Sequence, residues 1–288
     1  MKILISYDGS ESSDAALQDL RLAGLPSICE AVVMTVCESW LPPPAAAEIL
    51  EPGGEPPHPS NREDAATIAA RGCKQLQVIF PGWSVRSVSQ TGSAPSQVLE
   101  YADAWEPHLI VVGSHGLTRV EQLLLGSVSQ RILTEARSSV RVARGRLGEI
   151  ARPVRLVVAF DDSEGSWDAV EAVAARTWPK GSDVRLVTSL YGAVPPEAER
   201  VTALNHLETA QLTAAARLES AGLECVRVMG ETDPKRLIRE HALIANADCV
   251  FIGSRGFGRL KRLLLGSVAA AVASRAHCSV EVVRRVAH

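Results

Sequence analysis

The sequence predicts an α/β protein made of two tandem open-sheet domains, and three observations lead to that class. The chain has 288 residues, enough for two domains of roughly 140 residues that each bury most of their surface. Hydrophobic residues make up 46% and aromatic residues only 4%, so the cores are aliphatic, which suits buried parallel strands. Short apolar runs alternate with segments of helical spacing, which predicts parallel sheets covered by helices on both faces.

The predicted elements follow one another in the same order in both halves. Short apolar or alternating runs indicate strands, and longer runs with apolar residues three or four apart indicate helices. The strands of the first half are predicted at Ile3–Tyr7, Ala31–Cys37, Val85–Gln90, Leu109–Val112 and Val140–Arg144. Its helices are predicted at Ser12–Ala23, Arg62–Ile79, Ser96–Trp105 and Ser127–Ala136. The strands of the second half are predicted at Leu156–Phe160, Val184–Ser189, Cys225–Val228, Val250–Ile252 and Val280–Val283.

The two halves also repeat each other residue by residue. The segment KILISYDGSESSDAALQDL aligns with RLVVAFDDSEGSWDAVEAV, and LIVVGSHGLTRVEQLLLGSV aligns with CVFIGSRGFGRLKRLLLGSV. Such a repeat indicates one structural unit used twice, and we place the two domains at residues 1–147 and 152–288. The first copy is 13 residues longer, and the segment Leu41–Pro59, crowded with Pro and Gly, is the expected place for an enlarged surface loop.

A glycine-spaced loop recurs in both halves after a buried strand and before a helix. In the first half Gly113 and Gly116 are followed, nine residues later, by Gly126 and Ser127. Glycine permits unusual backbone angles and close approach of a ligand, and the free N–H groups of a helix start favour phosphate. The hydroxyls of Ser127 and Ser129 could donate to phosphate oxygens. Glycines also end strands and cap helices for structural reasons alone, so retention for folding is the alternative.

Two better-known phosphate loops are excluded by the residues present. No Gly-Lys-Ser/Thr occurs, so the lysine and the Mg²⁺-binding hydroxyl of a Walker A loop are missing. The first strand runs into Tyr7-Asp8-Gly9-Ser10 and not into the G-x-G-x-x-G of a dinucleotide site. In open parallel sheets ligands bind at the carboxyl ends of the strands, so Asp8 and Gly113 are expected to face one crevice.

The bulk composition excludes further classes of function. The net charge is −3, so no basic excess indicates nucleic acid or an anionic membrane as a partner. No apolar run approaches the ~18 residues of a membrane span, and the N-terminus does not resemble a signal peptide, so a cytoplasmic location is expected. The six cysteines form no C-x-x-C pair and the histidines no H-x-x-x-H pair, so no metal site is expected.

The loop and the acidic residue after the first strand together resemble the ATP-binding branch of the universal stress proteins. The resemblance covers both halves, as in a tandem two-domain member. It implies two open, five-stranded parallel α/β sheets of the Rossmann-like, adenine nucleotide alpha hydrolase-like type, each able to pair through its last strand. An internal pseudo-dimer of the two domains through the strands Val140–Arg144 and Val280–Arg284 is therefore expected, because exposed strand edges invite pairing. A homodimer of whole chains is a further expectation.

The resemblance also implies a nucleotide-binding role for each matching residue. Asp8, preceded by Ser6, matches an acidic residue near the adenosine, and Val36 matches a position whose backbone faces adenine. The ribose and phosphate positions of the first half are Val112, Gly113, Gly116, Gly126, Ser127, Val128 and Ser129. In the second half Asp161 takes the place of Asp8 and Ser189 that of Val36. The ribose and phosphate positions there are Ile252, Gly253, Gly256, Gly266, Ser267 and Val268. We expect ATP, or ADP or AMP, at both sites, with Mg²⁺ or Mn²⁺ as an accompanying ion that has no dedicated protein ligands.

The second half departs from the first at two positions of the site. Asp162 replaces Gly9 and adds a carboxylate, and Ala269 replaces Ser129 and removes a hydroxyl. Losing a donor to a charged phosphate costs about 1.5–3 kcal/mol, so the first site is predicted to be closer to the family pattern. The second loop has more cationic side chains than the first. The favoured interpretation is that these side chains form a face exposed to solvent. These cations are Arg255, Arg259, Lys261 and Arg262, where the first loop has Arg119 and Glu121.

The leading functional prediction is a nucleotide-binding stress or signalling protein with slow or absent ATP hydrolysis. No Walker lysine and no obvious general base are present, and His115 in the first loop is interpreted as a polar loop residue. A slow nucleotide hydrolase is one alternative. A scaffold that has lost nucleotide binding and contacts proteins through its edges and its Pro-rich loop is the other.

Overall fold

A computed structural model describes residues 1–37, 62–114, 125–144, 152–191, 197–256 and 265–285. The predicted surface loop at Leu41–Pro59 lies outside these ranges. The strands are β1 Lys2–Ser6, β2 Glu30–Cys37, β3 Ser84–Thr91, β4 Leu109–Gly113, β5 Ser139–Ala143, β6 Arg155–Ala159, β7 Asp183–Ser189, β8 Glu224–Gly230, β9 Cys249–Gly253 and β10 Ser279–Val283. The helices are α1 Glu11–Asp19, α2 Arg62–Ile79, α3 Ala94–Trp105, α4 Ser127–Glu135, α5 Glu164–Ala174, α6 Glu197–Glu219, α7 Pro234–Ile244 and α8 Ser267–Arg275.

The ten strands form one continuous sheet in the order β3-β2-β1-β4-β5-β10-β9-β6-β7-β8. Every pairing within a half is parallel, and the one between β5 and β10 is antiparallel. The predicted open parallel α/β fold is therefore confirmed in both halves. In each half the strand order reverses between the first and fourth strands, β1 and β4 or β6 and β9, which is where an open sheet forms a crevice.

Helices cover both faces of the sheet and bury its aliphatic side chains. On one face the helices α3, α4, α7 and α8 close over a single apolar core that runs through both halves. On the other face α1 and α2 cover a core of the first half, and α5 and α6 cover a separate core of the second half. One shared core and a joined sheet make the two halves a single packed body.

The start of each half shows how short polar motifs set the helix boundaries. Ser10 is the N-cap of α1 and accepts a hydrogen bond from the backbone N–H of Ser13 at 3.2 Å. Ser163 caps α5 in the same way, accepting from the N–H of Ser166 at 3.3 Å. Helix α1 thus begins one residue before the predicted Ser12 and is followed by a 3₁₀ turn at Leu20–Leu22.

The last strands of the two halves lie at the centre of the sheet and are buried along their whole length. Val140 pairs with Val282, and Arg141 pairs with Glu281. The alternation of polar and apolar residues in these strands therefore does not mark a face open to water, because helices cover both faces and the edge itself is paired. The expected internal pairing of the halves is present in this form.

None of the helices within the described ranges is both long enough and apolar enough to cross a membrane.

Candidate functional site

A cavity of about 820 Å³ opens at the carboxyl ends of the second half's strands, over the crevice between β6 and β9. Residues from the three strands β6, β7 and β9, from the loops that follow them and from four helices form its wall. All eight positions predicted for the second site line it, namely Asp161, Ser189, Ile252, Gly253, Gly256, Gly266, Ser267 and Val268. Sequence positions spread over more than 100 residues are thus brought together around one space.

Asp161 stands at the entrance of the crevice, two residues after the end of β6. Its Oδ1 accepts hydrogen bonds from the backbone N–H and the hydroxyl of Ser163, at 3.1 and 2.5 Å, which fixes the carboxylate beside the start of α5. Its Oδ2 points across the crevice at Gly256, so closely that any Cβ at that position would overlap it. The acidic residue and the glycine loop therefore face each other.

Gly253 at the end of β9 is required by packing within the protein. A Cβ at Gly253 would overlap the backbone of Gly165 in the first turn of α5, with the Gly165 Cα only 2.8 Å away. Gly165 in turn has no room for a side chain, because a Cβ there would overlap the backbone carbonyl of Arg255. The glycine at this strand end thus brings α5 against the loop and places Asp161 at the site.

The loop returns to the sheet at Gly266, which is the N-cap of α8. Its φ of −75° and ψ of 154° are ordinary extended values, as are those of Gly126 in the first half, so neither glycine adopts the unusual backbone angles that glycine permits. The N–H of Gly266 donates to the carbonyl of Ser254 at 2.7 Å and closes the loop. No side chain of the described residues caps α8, so the N–H groups of its first turn, at Ser267 and Val268, lie at the cavity wall without an acceptor in the part of the chain that the structure describes.

The first half places its predicted residues at the equivalent edge of the sheet. Ser6 ends β1, Val36 lies near the end of β2, and Gly113 ends β4. The carboxylate of Asp8 accepts from the N–H of Ser10 at 3.0 Å, as Asp161 does with Ser163. Val112 belongs to β4, Gly126 caps α4 without a side-chain bond, and Ser127, Val128 and Ser129 form the first turn of α4. Gly116 and His115 lie outside the described residues, as do Arg119, Glu121, Arg259, Lys261 and Arg262.

Ser129 has a different partner from the one that the sequence suggested. It is buried, and its hydroxyl donates to the carbonyl of Gly113 at 2.6 Å, which ties the end of β4 to the first turn of α4. Because that hydroxyl is engaged by the main chain, Ala269 in the second half removes a loop contact. The expectation that Ala269 removes a free phosphate donor does not fit this geometry.

Asp162 takes the left-handed conformation that Gly9 has in the first half, with φ of 65° against 79°. Its carboxylate accepts from Trp167 Nε1 at 2.8 Å and lies 3.0 Å from Nε2 of His206 on α6. The additional carboxylate predicted from the sequence is therefore at the cavity, and it ties the strand-end loop to α6. In the first half Arg71 of α2 makes the equivalent link, donating to the carbonyl of Gly9 at 2.7 Å.

Sequence motifs missed the part of the wall that comes from the helices and from the second strand. Asp162, in the loop after β6, was visible in the sequence as a departure between the copies, but the residues of this part of the wall were not. The others carry no motif, since a helix face at 3.6 spacing indicates only burial. They are Val187, Tyr191, Ala203, His206, Leu207, Pro234 and Ile238.

The electrostatics of the loop are positive at Arg255, which is exposed and lines the cavity. Burial lowers the pKa of Arg284 to about 10, and the neighbouring charge of Arg255 contributes in the same direction. The positive side chain of Arg255 at the cavity wall favours an anion beside it. The cavity thus joins an apolar interior to an end with an uncapped helix N-terminus and a cation.

Comparison with known proteins agrees with this architecture. The model of the universal stress protein family matches residues 1–144 and 154–284. Universal stress proteins of Mycobacterium tuberculosis and Mycobacterium bovis are 27% identical over 303 residues, covering 98% of this chain and 97% of theirs. The crystal structure of a universal stress protein from Archaeoglobus fulgidus has a TM-score of 0.68 at 20% identity, covering 99% of this chain and 98% of that one. That likeness concerns the fold. Because the family model matches almost the whole chain in two consecutive copies, the protein belongs to the universal stress protein family, as a tandem two-domain member.

Proposed function

We propose that the protein binds an adenine nucleotide, with ATP as the expected ligand, and acts as a regulatory stress-response protein with slow or absent hydrolysis. The observation that carries the proposal is the cavity over the β6–β9 crevice. Its volume of about 820 Å³ lies within the ~300–1,000 Å³ typical of small-molecule sites. The comparisons support the family, and the ligand is our inference from the chemistry of the wall.

The wall has the two kinds of surface that a nucleotide requires. Its interior is apolar, with Phe160, Val187 and Ile238 among the lining residues, and a flat base would bury there. Its loop end offers backbone N–H groups at the start of α8 and the guanidinium of Arg255, which suit phosphates. Mg²⁺ or Mn²⁺ would then be held mainly by the phosphates, as is usual for Mg²⁺ bound with a nucleotide.

The proposal is tested first on the unmodified full-length chain. The nucleotide that it carries after purification is extracted and identified, and ATP, ADP and AMP binding is measured by calorimetry. We expect two ATP per chain. If the purified chain carries no adenine nucleotide and binds none at millimolar concentration, the proposal is wrong and the scaffold alternative is favoured. Release of phosphate many times per minute would favour the hydrolase.

A matched pair of variants on α6 tests the location of the second site. Ala203 lines the cavity from α6 and is half-buried, so Ala203→Trp is expected to fill the space while leaving the residues of the loop unchanged. Thr202 is exposed and does not line the cavity, so Thr202→Trp is the control. We expect Ala203→Trp to reduce the stoichiometry from two to one and Thr202→Trp to leave it unchanged. Two full sites in Ala203→Trp would show that the cavity does not hold the nucleotide.

A further inference from the structure

The two halves are related by a pseudo-two-fold axis that passes through the β5–β10 junction. Equivalent residues of the last strands are 140 positions apart in the sequence, so Arg141 is the equivalent of Glu281. In the observed register these two residues pair with each other. Arg141 and Glu281 therefore meet on the axis, the one place where a residue faces its own equivalent.

Both residues are buried there within a chain of charges. Arg141 is 0% exposed and Glu281 1%, and Nη1 of Arg141 lies 3.3 Å from Oε2 of Glu281. Arg141 Nε also bonds to Oδ2 of Asp19 at 2.7 Å, within the first half. Glu281 accepts hydrogen bonds from both terminal nitrogens of Arg176, which also belongs to the second half. The bond from Nη1 to Oε2 is 3.0 Å long. The first half thus supplies Asp19 and Arg141, and the second half supplies Glu281 and Arg176. The ion pair that joins the two halves, between Arg141 and Glu281, lies on the axis.

Two equivalent arginines on either side of the axis make the same contacts in both directions. Arg144 donates to the carbonyl of Ala273 at 2.5 Å and to that of Cys278 at 3.3 Å, holding the end of α8. Arg284, its equivalent, donates in the same way to the carbonyls of Leu133 and Ser138 beyond the end of α4. Two copies of one half could make these contacts with each other just as well. They stabilise the junction without selecting which half is the partner.

The axial position does select the partner. Two copies of the first half, paired in the same register, would bury Arg141 against Arg141, and two copies of the second half would bury Glu281 against Glu281. Each arginine would keep its own Asp19, and each glutamate its own Arg176, but the buried pair across the axis would be replaced by like charges, which are destabilising directly opposite each other in a sheet. We propose that the opposite charges of Arg141 and Glu281 make the edge of β5 selective for the edge of β10 and exclude its pairing with a second β5.

The test recreates the like-charge contact inside one full-length chain. Arg176→Ala is introduced first, so that Arg141 is the cation left facing position 281. In this background Glu281→Gln supplies a neutral side chain, and Glu281→Lys supplies a like charge of similar reach. Amide hydrogen exchange is measured in β5 and β10, with β1 and β6 as internal controls. We expect Glu281→Lys to lower the protection of β5 and β10 about 100-fold relative to Glu281→Gln.

A third variant separates charge from general damage to the packing. Arg141→Met, added to Glu281→Lys and Arg176→Ala, removes the facing charge while keeping an apolar stem of similar volume. We expect protection of β5 and β10 to return to within about 10-fold of the Glu281→Gln chain. Equal protection in the Gln and Lys chains would overturn the proposal, and so would a Lys chain that Arg141→Met does not rescue.

Discussion

Replacing Gly253 by alanine is expected to lower the stability of the fold, whether or not a ligand is bound. A Cβ at Gly253 would overlap the backbone of Gly165, with the Gly165 Cα 2.8 Å away. Carbon atoms pack at roughly 3.5–4.0 Å, so α5 would have to move by about 1 Å. Because a backbone segment cannot rotate aside as a side chain can, we expect a loss of about 2 kcal/mol in the free energy of unfolding and a Tm lower by about 5 °C.

Gly266→Ala is the matched control in the same loop. A Cβ there would have the Ser254 carbonyl oxygen 3.3 Å away and the Arg255 Cα 3.7 Å away, and the backbone angles suit any residue. We expect its stability to remain within about 1 kcal/mol of the wild type. Urea unfolding followed by circular dichroism compares the two variants. Equal stability of both variants would refute the packing account of Gly253 and return that glycine to a role in ligand approach.

Three further predictions concern individual side chains. Ser129→Ala removes the bond to Gly113 and should cost about 1–2 kcal/mol in urea unfolding; no change would mean that this bond does not hold the loop. Burial, and then the hydrogen bond to Asp14, raise the pKa of Tyr7 to about 12. Its neutral form is thus favoured in the fold, and stability is lost as pH rises from about 10 through 12. A spectrophotometric titration should show a late tyrosine step that Tyr7→Phe abolishes, and its persistence in that variant would contradict the assignment. Because Asp162 has a positive φ, Asp162→Ala should be about 1 kcal/mol less stable than Asp162→Gly, and the reverse order would show that its backbone is unstrained.

Local sequence pattern was sufficient for the elements and for gathering the eight second-half positions that line the cavity. Helix α2 runs from Arg62 to Ile79, as its apolar spacing predicts, and the strands differ from the predictions only at their ends. The repeat and the position of the loop after a buried strand placed the eight residues of the second site around one cavity. These features follow from the order of residues along the chain, because periodicity and helix starts depend on near neighbours.

The partners of the side chains were decided by the tertiary structure. Nothing in the sequence indicates that Ser129 bonds to Gly113, because the two residues are 16 positions apart and meet only in the tertiary structure. Pairing through the last strands was expected, but the register that places Arg141 opposite Glu281 was decided by the tertiary structure.

The sequence by itself determined that the chain folds as two copies of one open parallel unit, each with a glycine loop at the carboxyl ends of its strands. Only the tertiary structure decided that Gly253 is a packing contact, that helix α6 supplies part of the cavity wall, and that Arg141 meets Glu281 on the pseudo-axis. The physical reason is that contacts between distant segments depend on the strand order and register of the whole sheet. Local pattern does not encode these.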